Sequence, residues 1–224
     1  MDRIATSRAR RWQGGARTAA PLGIAVALFG VAFGVLAQEA GLGPLPTLAM
    51  SLTTFAGSAQ LAAVAVVDAG GGLAAAVGAA ALLNSRYLPM GIAVAPVAEG
   101  GPLARVLGAQ LMIDESWALA HTREGLDWWR LLGAGGVLYL AWALGTAAGL
   151  LAGQALADPA ALGLDAAFPA LFLGLLWPWL RRRRTAVVAA LAGGIALVLT
   201  PVLPEGLPLL AAATVALLGL RGAR

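Results

Sequence analysis

The stretch Leu82-Leu83-Asn84-Ser85-Arg86-Tyr87-Leu88-Pro89 lies inside an apolar segment that runs over Leu73–Val97. An arginine at the centre of a membrane-spanning helix costs roughly 2.5–3.5 kcal/mol on insertion scales. Its planar fork of N–H donors suits a carboxylate, and Pro89 frees a carbonyl upstream by removing one helical hydrogen bond. Snorkelling to an interface is the alternative, but it is harder from mid-segment. Arg86 and Asn84 are therefore predicted to meet a buried partner or a ligand.

Two carboxylates, Asp114 and Glu115, follow in the next apolar segment, Leu103–Ala120. Opposite charges inside membrane segments are expected to be each other's partners. Adjacent helical residues point about 100° apart, so one acid is predicted to pair with Arg86 while the other is left over. A desolvated carboxylate binds a proton more readily, so these acids are the predicted proton-coupling groups, with the leftover acid as the first candidate. A purely structural ion pair is the alternative.

The composition is that of an integral membrane protein. The chain is 60% hydrophobic and 12% charged, against about 45–50% and about 25% in soluble domains. It has no cysteine and only one histidine, His121, which excludes disulfides, thiolate metal sites and His-rich clusters. We predict no metal and no other cofactor. The net charge of +4 does not indicate nucleic-acid binding, because the arginines lie at the ends of apolar runs.

An arginine-rich tail over residues 1–20 precedes residues 21–221, which are predicted to form a single transmembrane domain. The first apolar run, Leu22–Ala37, resembles a signal peptide, but more hydrophobic segments follow at once, so a retained span is predicted. The further segments are Leu45–Val67, Leu73–Val97, Leu103–Ala120, Leu132–Leu156, Ala167–Leu180, Ala186–Leu203 and Leu207–Leu220.

Because about 20 apolar residues cross a bilayer, the predicted fold is an all-α, polytopic helical bundle with about seven to eight transmembrane segments. The last two segments are short and interrupted by prolines. They are predicted to form either two thin crossings or one re-entrant hairpin. The positive-inside rule places the N-terminal tail, the loop with Arg123 and Arg130, and the run Arg181–Arg184 in the cytoplasm. This topology requires Leu103–Ala120 to cross the membrane.

The segment before Arg86 contains Phe55-Ala56-Gly57-Ser58-Ala59-Gln60. Gly57 and Ser58 can loosen a spanning helix, and the Gln60 amide is both a donor and an acceptor. Two interpretations stay open at this point. Either unwound backbone faces a substrate, as in the discontinuous helices of transporters, or Gln60 bonds across a helix interface.

Two small-xxx-small patterns, Gly30-Val31-Ala32-Phe33-Gly34 and Gly145-Thr146-Ala147-Ala148-Gly149, indicate either an internal repeat or a chance likeness between Gly/Ala-rich helices. An enzyme is not predicted. Ser58 lacks a Gly-x-Ser-x-Gly context and a base, and the chain has no phosphate-binding loop.

Taken together, these motifs resemble the AzlC family, the large subunit of branched-chain amino acid exporters. The resemblance covers most of the chain in order and spacing. It rests on the proline-led first span ending at Gly34, on Phe55–Gln60, Asn84–Tyr87 and Asp114-Glu115, and on Leu164–Phe172.

The resemblance implies a multi-pass bacterial inner-membrane exporter of branched-chain amino acids such as valine, with an AzlD-like small membrane subunit as partner. With the acids above, it predicts a secondary transporter driven by proton antiport. Arg86 would bind the substrate carboxylate, while Asp114 or Glu115 would bind its ammonium or the proton. The predicted substrate-binding residues are Phe55, Gly57, Ser58, Gln60, Asn84 and Arg86. The alternatives are a non-transporting scaffold or assembly subunit and a small-solute channel.

Overall fold

The computed structural model describes residues 2–155, 173, 177, 180–203 and 207–215, which are mostly helical, as predicted. A two-residue antiparallel hairpin of β1 (His121–Thr122) and β2 (Gly125–Leu126) precedes α8. The helices are α1 (Asp2–Glu39), α2 (Pro44–Thr54), α3 (Gly57–Asp68), α4 (Leu73–Asn84), α5 (Tyr87–Val94), α6 (Pro102–Ala109), α7 (Asp114–Leu119), α8 (Trp128–Ala155), α9 (Arg183–Leu199) and α10 (Leu207–Thr214).

Among the described residues, two helices are long and apolar enough to cross a membrane. They are Ser7–Glu39, within α1, and Trp128–Gly153, within α8. Three of the segments that were predicted as continuous spans are instead interrupted, each into two shorter helices. The number of spans and the internal repeat stay predictions. The stretch Leu164–Phe172 and most of Ala167–Leu180 lie outside the described residues.

The small-xxx-small patterns of α1 and α8 face one another. A Cβ added at Gly30 would lie 2.6 Å from the carbonyl oxygen of Trp142 and 3.2 Å from the carbonyl carbon of Gly145. One added at Gly34 would lie 3.1 Å from the carbonyl carbon of Gly149. Glycine is needed here because only a residue without a Cβ lets two helix backbones come this close. Complementary packing therefore accounts for the likeness of the two patterns without a repeat.

Helices α1 and α8 run parallel. Gly15 lies against Arg130 near the start of both helices, and Gly34 lies against Gly149 near their other end. The arginine-rich start of α1 is therefore at the same end of the pair as Arg130. This arrangement is the one that the predicted topology requires, since it puts both arginine groups on one side of the membrane. Which side that is stays a prediction.

The tail predicted over residues 1–20 is the first part of α1, and two of its arginines, Arg8 and Arg11, form ion pairs. Arg8 lies 2.7 Å from Glu99, in the loop after α5, and Arg11 lies 3.5 Å from Asp127, just before α8. The indole of Trp129 donates a 3.0 Å hydrogen bond to Glu99. The division into a tail and one transmembrane domain is not tested by these contacts and stays a prediction.

Residues Met1–Leu61 and Leu83–Ala155 form one compact unit, and Ala62–Leu82 belongs to a second unit with the chain after α8. The first unit contains α1, α8 and every residue of the predicted site. In the second, Val66 of α3 packs with the alanines of α4, among them Ala76, and α9 packs against α10.

We predict that Gly145→Leu will lower the melting temperature of the detergent-solubilised protein by several degrees. A Cβ at this position meets the backbone of Ala27, and overpacking of this kind costs about 1–3 kcal/mol. Gly136→Leu is the matched control on the same helix, because no atom lies within 4 Å of an added Cβ there. Equal melting temperatures for the two variants would contradict the glycine interface.

Candidate functional site

The first interruption separates α2 from α3 at Phe55 and Ala56. Phe55 adopts the left-handed conformation, with φ 38° and ψ 56°, which ends α2. Gly57 begins α3 against α8, where a Cβ would lie 2.9 Å from the Trp142 ring. The loosening predicted around Gly57 and Ser58 therefore falls just before those residues.

The backbone groups at this interruption are satisfied by side chains. The Gln60 amide oxygen accepts a 3.2 Å hydrogen bond from the Ala56 N–H. The Tyr139 hydroxyl donates to the Leu52 carbonyl at 2.9 Å. Because a buried backbone group without a partner costs free energy comparable to a lost hydrogen bond, these contacts make the interruption a stable part of the fold.

Gln110 is a polar residue that sequence reasoning missed. Its amide nitrogen donates a 2.7 Å hydrogen bond to the Thr53 carbonyl, so the end of α6 is tied to the end of α2. The available signal was an amide inside the apolar segment Leu103–Ala120. Polar side chains at such positions often bond across helices.

Proline explains the second interruption, at Ser85 and Arg86 between α4 and α5. Pro89 has no N–H with which to bond the Ser85 carbonyl, and its ring would crowd that carbonyl in a continuous helix. The Leu88 N–H bonds the Ser85 carbonyl at 3.1 Å instead. The turn leaves Arg86 at the start of α5.

The third interruption separates α6 from α7 and places both acids in the first turn of α7. Carboxylates are favoured at a helix N-terminus because its N–H groups carry partial positive charge. The Ser116 hydroxyl accepts a 2.9 Å hydrogen bond from the Ile113 N–H and donates to the Leu111 carbonyl at 2.8 Å. Asp114 and Glu115 thus lie at a helix start and not within a continuous helix.

Arg86 links the three interruptions. Its Nη2 lies 2.7 Å from the Ser58 hydroxyl, 2.8 Å from Asp114 Oδ2 and 3.4 Å from the Tyr87 hydroxyl. Its guanidinium also stacks over the Tyr87 ring, 5.1 Å from the ring centroid. Ser58 and Asp114 follow the first and third interruptions, and Arg86 lies in the second. The structure therefore pairs Arg86 with one acid, and that acid is Asp114.

Glu115 is the acid left over. It is partly buried, and it forms no salt bridge within the described part of the chain. It lies close enough to Arg86, Asp114 and Tyr87 to interact electrostatically with each of them. It is therefore an ionisable group at the site whose charge is not taken up by a salt bridge.

Three buried polar atoms of the predicted site residues have no hydrogen-bond partner among the described residues. They are Gln60 Nε2, Asn84 Oδ1 and Arg86 Nε. Two are donors, which suit a carboxylate, and the third is an acceptor, which suits an ammonium group. Gln60 is fully buried, so its free donor is costly unless a ligand uses it.

The remaining predicted site residues face α8. The buried Phe55 ring packs edge-on against Tyr139, with centroids 5.0 Å apart, and Gly57 lies against Trp142. These contacts give both residues a packing role beside the site. No group of three or more metal-ligating side chains occurs in the residues that the structure describes.

The interrupted helices lie within the part of the chain that matches a known protein family. The family model described as AzlC protein matches residues 21–156, more than half of the chain. The chain belongs to the AzlC family. AzlC membership gives it a role related to membrane transport. No curated protein and no solved structure matches it significantly.

For this AzlC chain, we predict that Gln60→Met will lower the free energy of unfolding by about 1–3 kcal/mol, because the Ala56 N–H loses its acceptor. Thermal unfolding in detergent without substrate measures the change. Gln13→Met, an identical change at an exposed position of α1, is the control. If Gln60→Met left stability unchanged, Gln60 would have no role in holding the interruption.

Proposed function

We propose that this protein is a secondary transporter that exports branched-chain L-amino acids such as valine across a bacterial inner membrane by proton antiport. The observation that carries the proposal is the position of Arg86. Its Nη2 is held between the Ser58 hydroxyl and Asp114, where three apolar helices are interrupted. Discontinuous helices are where many secondary transporters bind substrate and coupling ions.

A hydrophobic amino acid needs three kinds of partner, and the site offers each. Arg86 supplies a cation for the carboxylate, helped by the free donor of Gln60. The free acceptor of Asn84 and the carboxylate of Asp114 or Glu115 suit the ammonium group. The apolar side chain is proposed to lie near the first interruption, where the Phe55 ring packs against Tyr139.

The amino end of α3 adds to the carboxylate subsite. The first N–H groups of a helix have no partner within that helix, and they carry partial positive charge. Ser58 lies in this first turn and contacts Arg86 directly. A substrate carboxylate between the two would meet a full cation and a helix N-terminus together.

Proton coupling is assigned to Asp114 or Glu115, because Asp114 pairs with Arg86 and Glu115 is its neighbour in the first turn of α7. An AzlD-like small subunit is part of the proposal through the family resemblance. Helix α9 has no buried residue, so its surface is available to lipid or to such a subunit. The proposal assigns the chain no enzymatic activity.

We predict that Arg86→Ala will lower the rate of valine counterflow in proteoliposomes by at least about tenfold, because a hydrogen bond to a charged group contributes about 1.5–3 kcal/mol. Arg123→Ala removes an exposed arginine from the β1–β2 turn and should transport at the wild-type rate. Wild-type transport by Arg86→Ala would overturn the site assignment.

A structural ion pair is the competing explanation for Arg86 and Asp114, because the pair does form. The double variant Arg86→Asp/Asp114→Arg tests it. Exchange of the charges should restore function if pairing is their only role. We expect valine counterflow to stay at the level of Arg86→Ala, since the cation would no longer lie at the start of α5. Recovery to near wild-type transport would show that the pair has only a structural role and that valine binds elsewhere in the protein.

A further inference from the structure

The two acids at the start of α7 have different partners. Asp114 Oδ2 lies 2.8 Å from Arg86 Nη2, whereas Glu115 forms no salt bridge among the described residues. The charged and titratable groups near enough to Glu115 to interact with it electrostatically are Asp114 from α7 itself, Arg86 from the α4–α5 turn and Tyr87 from α5. Because one acid is neutralised and the other is not, protonation would have a different effect on substrate at each position.

Protonation of Asp114 would release Arg86. A substrate carboxylate could then take the free guanidinium, so the proton and the substrate would favour each other's binding. By linkage, each ligand raises the affinity for the other by the same factor. Two ligands that bind together move in the same direction, which is symport. Protonation of the paired acid, Asp114, would therefore couple proton and substrate in the same direction, which is the opposite of the proton antiport proposed above.

Protonation of Glu115 has the opposite effect. The ionised carboxylate can accept hydrogen bonds from an ammonium group, whereas a neutral carboxyl loses the charge that makes those bonds strong. A proton and an ammonium group then compete for the same oxygens. Two ligands that exclude each other are carried one at a time, and this is the condition for exchange in opposite directions.

We propose that Glu115 is the ammonium subsite, where a proton and the substrate ammonium bind in competition. Asp114 is a positioning residue that holds Arg86 ready for the substrate carboxylate. This assignment rests on the proposed function, and it deepens that function by naming which acid couples proton to substrate. It also requires a free amino group in any substrate whose transport is coupled to protons. A carboxylic acid without an amino group would leave Glu115 unoccupied.

The direction of the pH dependence tests the assignment in the unmodified protein. Purified full-length chain in proteoliposomes is titrated with L-valine at about pH 8 and about pH 6, and valine binding should weaken about tenfold at the lower pH as Glu115 becomes protonated. Binding of isovalerate, which is valine without its ammonium group, should not weaken at the lower pH. Tighter valine binding at the lower pH would overturn the proposal in favour of Asp114.

Variants of Glu115 test whether this residue causes the pH dependence of valine binding. Glu115→Gln should bind valine with the same reduced affinity at both pH values, and Glu115→Asp, which keeps the charge, should retain the pH dependence. Asp68→Asn is the matched control at an exposed acid at the end of α3, and it should behave as wild type. If the weakening at low pH persisted in Glu115→Gln while that variant still melted cooperatively, the proposal would be wrong and valine transport could still stand.

The proposed function fails in a different way. Wild-type protein that neither binds nor exchanges valine at either pH, also when it is reconstituted together with an AzlD-like subunit, overturns the transport proposal and the ammonium subsite with it. Valine exchange that is independent of pH overturns the coupling assignment alone.

Discussion

The contact of Arg86 with Ser58 and Asp114 joins the three places where apolar helices are interrupted. A guanidinium in an apolar environment is costly unless its charge is matched by a partner. Arg86 and Asp114 are each only partly buried, but removal of either residue leaves the other without its charge partner. The starts of α3, α5 and α7 are therefore constrained by one another through a single side chain. Any ligand that reaches this side chain acts on all three helices at once.

Helix α8 takes part both in the glycine interface with α1 and in the first interruption. The interface lets the two backbones approach closely, and one face of α8 contacts α2 and α3. That face supplies Tyr139 to the Leu52 carbonyl and Thr146 to the Ser51 hydroxyl at 3.0 Å. Close packing of apolar helices and placement of a polar site thus depend on the same helix. Few alternative arrangements satisfy both, because each buried polar group needs a specific partner.

Two neighbouring acids with different partners give the site a property that a single acid would lack. Asp114 is committed to Arg86, and Glu115 remains available within the described unit. In the proposed assignment, Asp114 keeps Arg86 in position while Glu115 changes its charge. Two different side chains thus orient the cation and bind the proton. In the proposed proton antiport, this separation keeps the Arg86–Asp114 pair intact while the other acid changes its charge.

The sequence by itself determined the membrane class, the helical fold and the family, and it predicted the residues on which the site would depend. Charged and polar residues in apolar segments are conspicuous because hydrocarbon penalises them. It also predicted one ion pair and one leftover acid from helical geometry alone. Only the tertiary structure decided that Asp114 is the paired acid, and that Gln110 and Tyr139 close the first interruption. The hydrogen bond of Gln110 joins residues that are 57 positions apart in the sequence, and that of Tyr139 joins residues that are 87 positions apart. Local periodicity cannot predict such contacts, because they depend on which helix faces pack together.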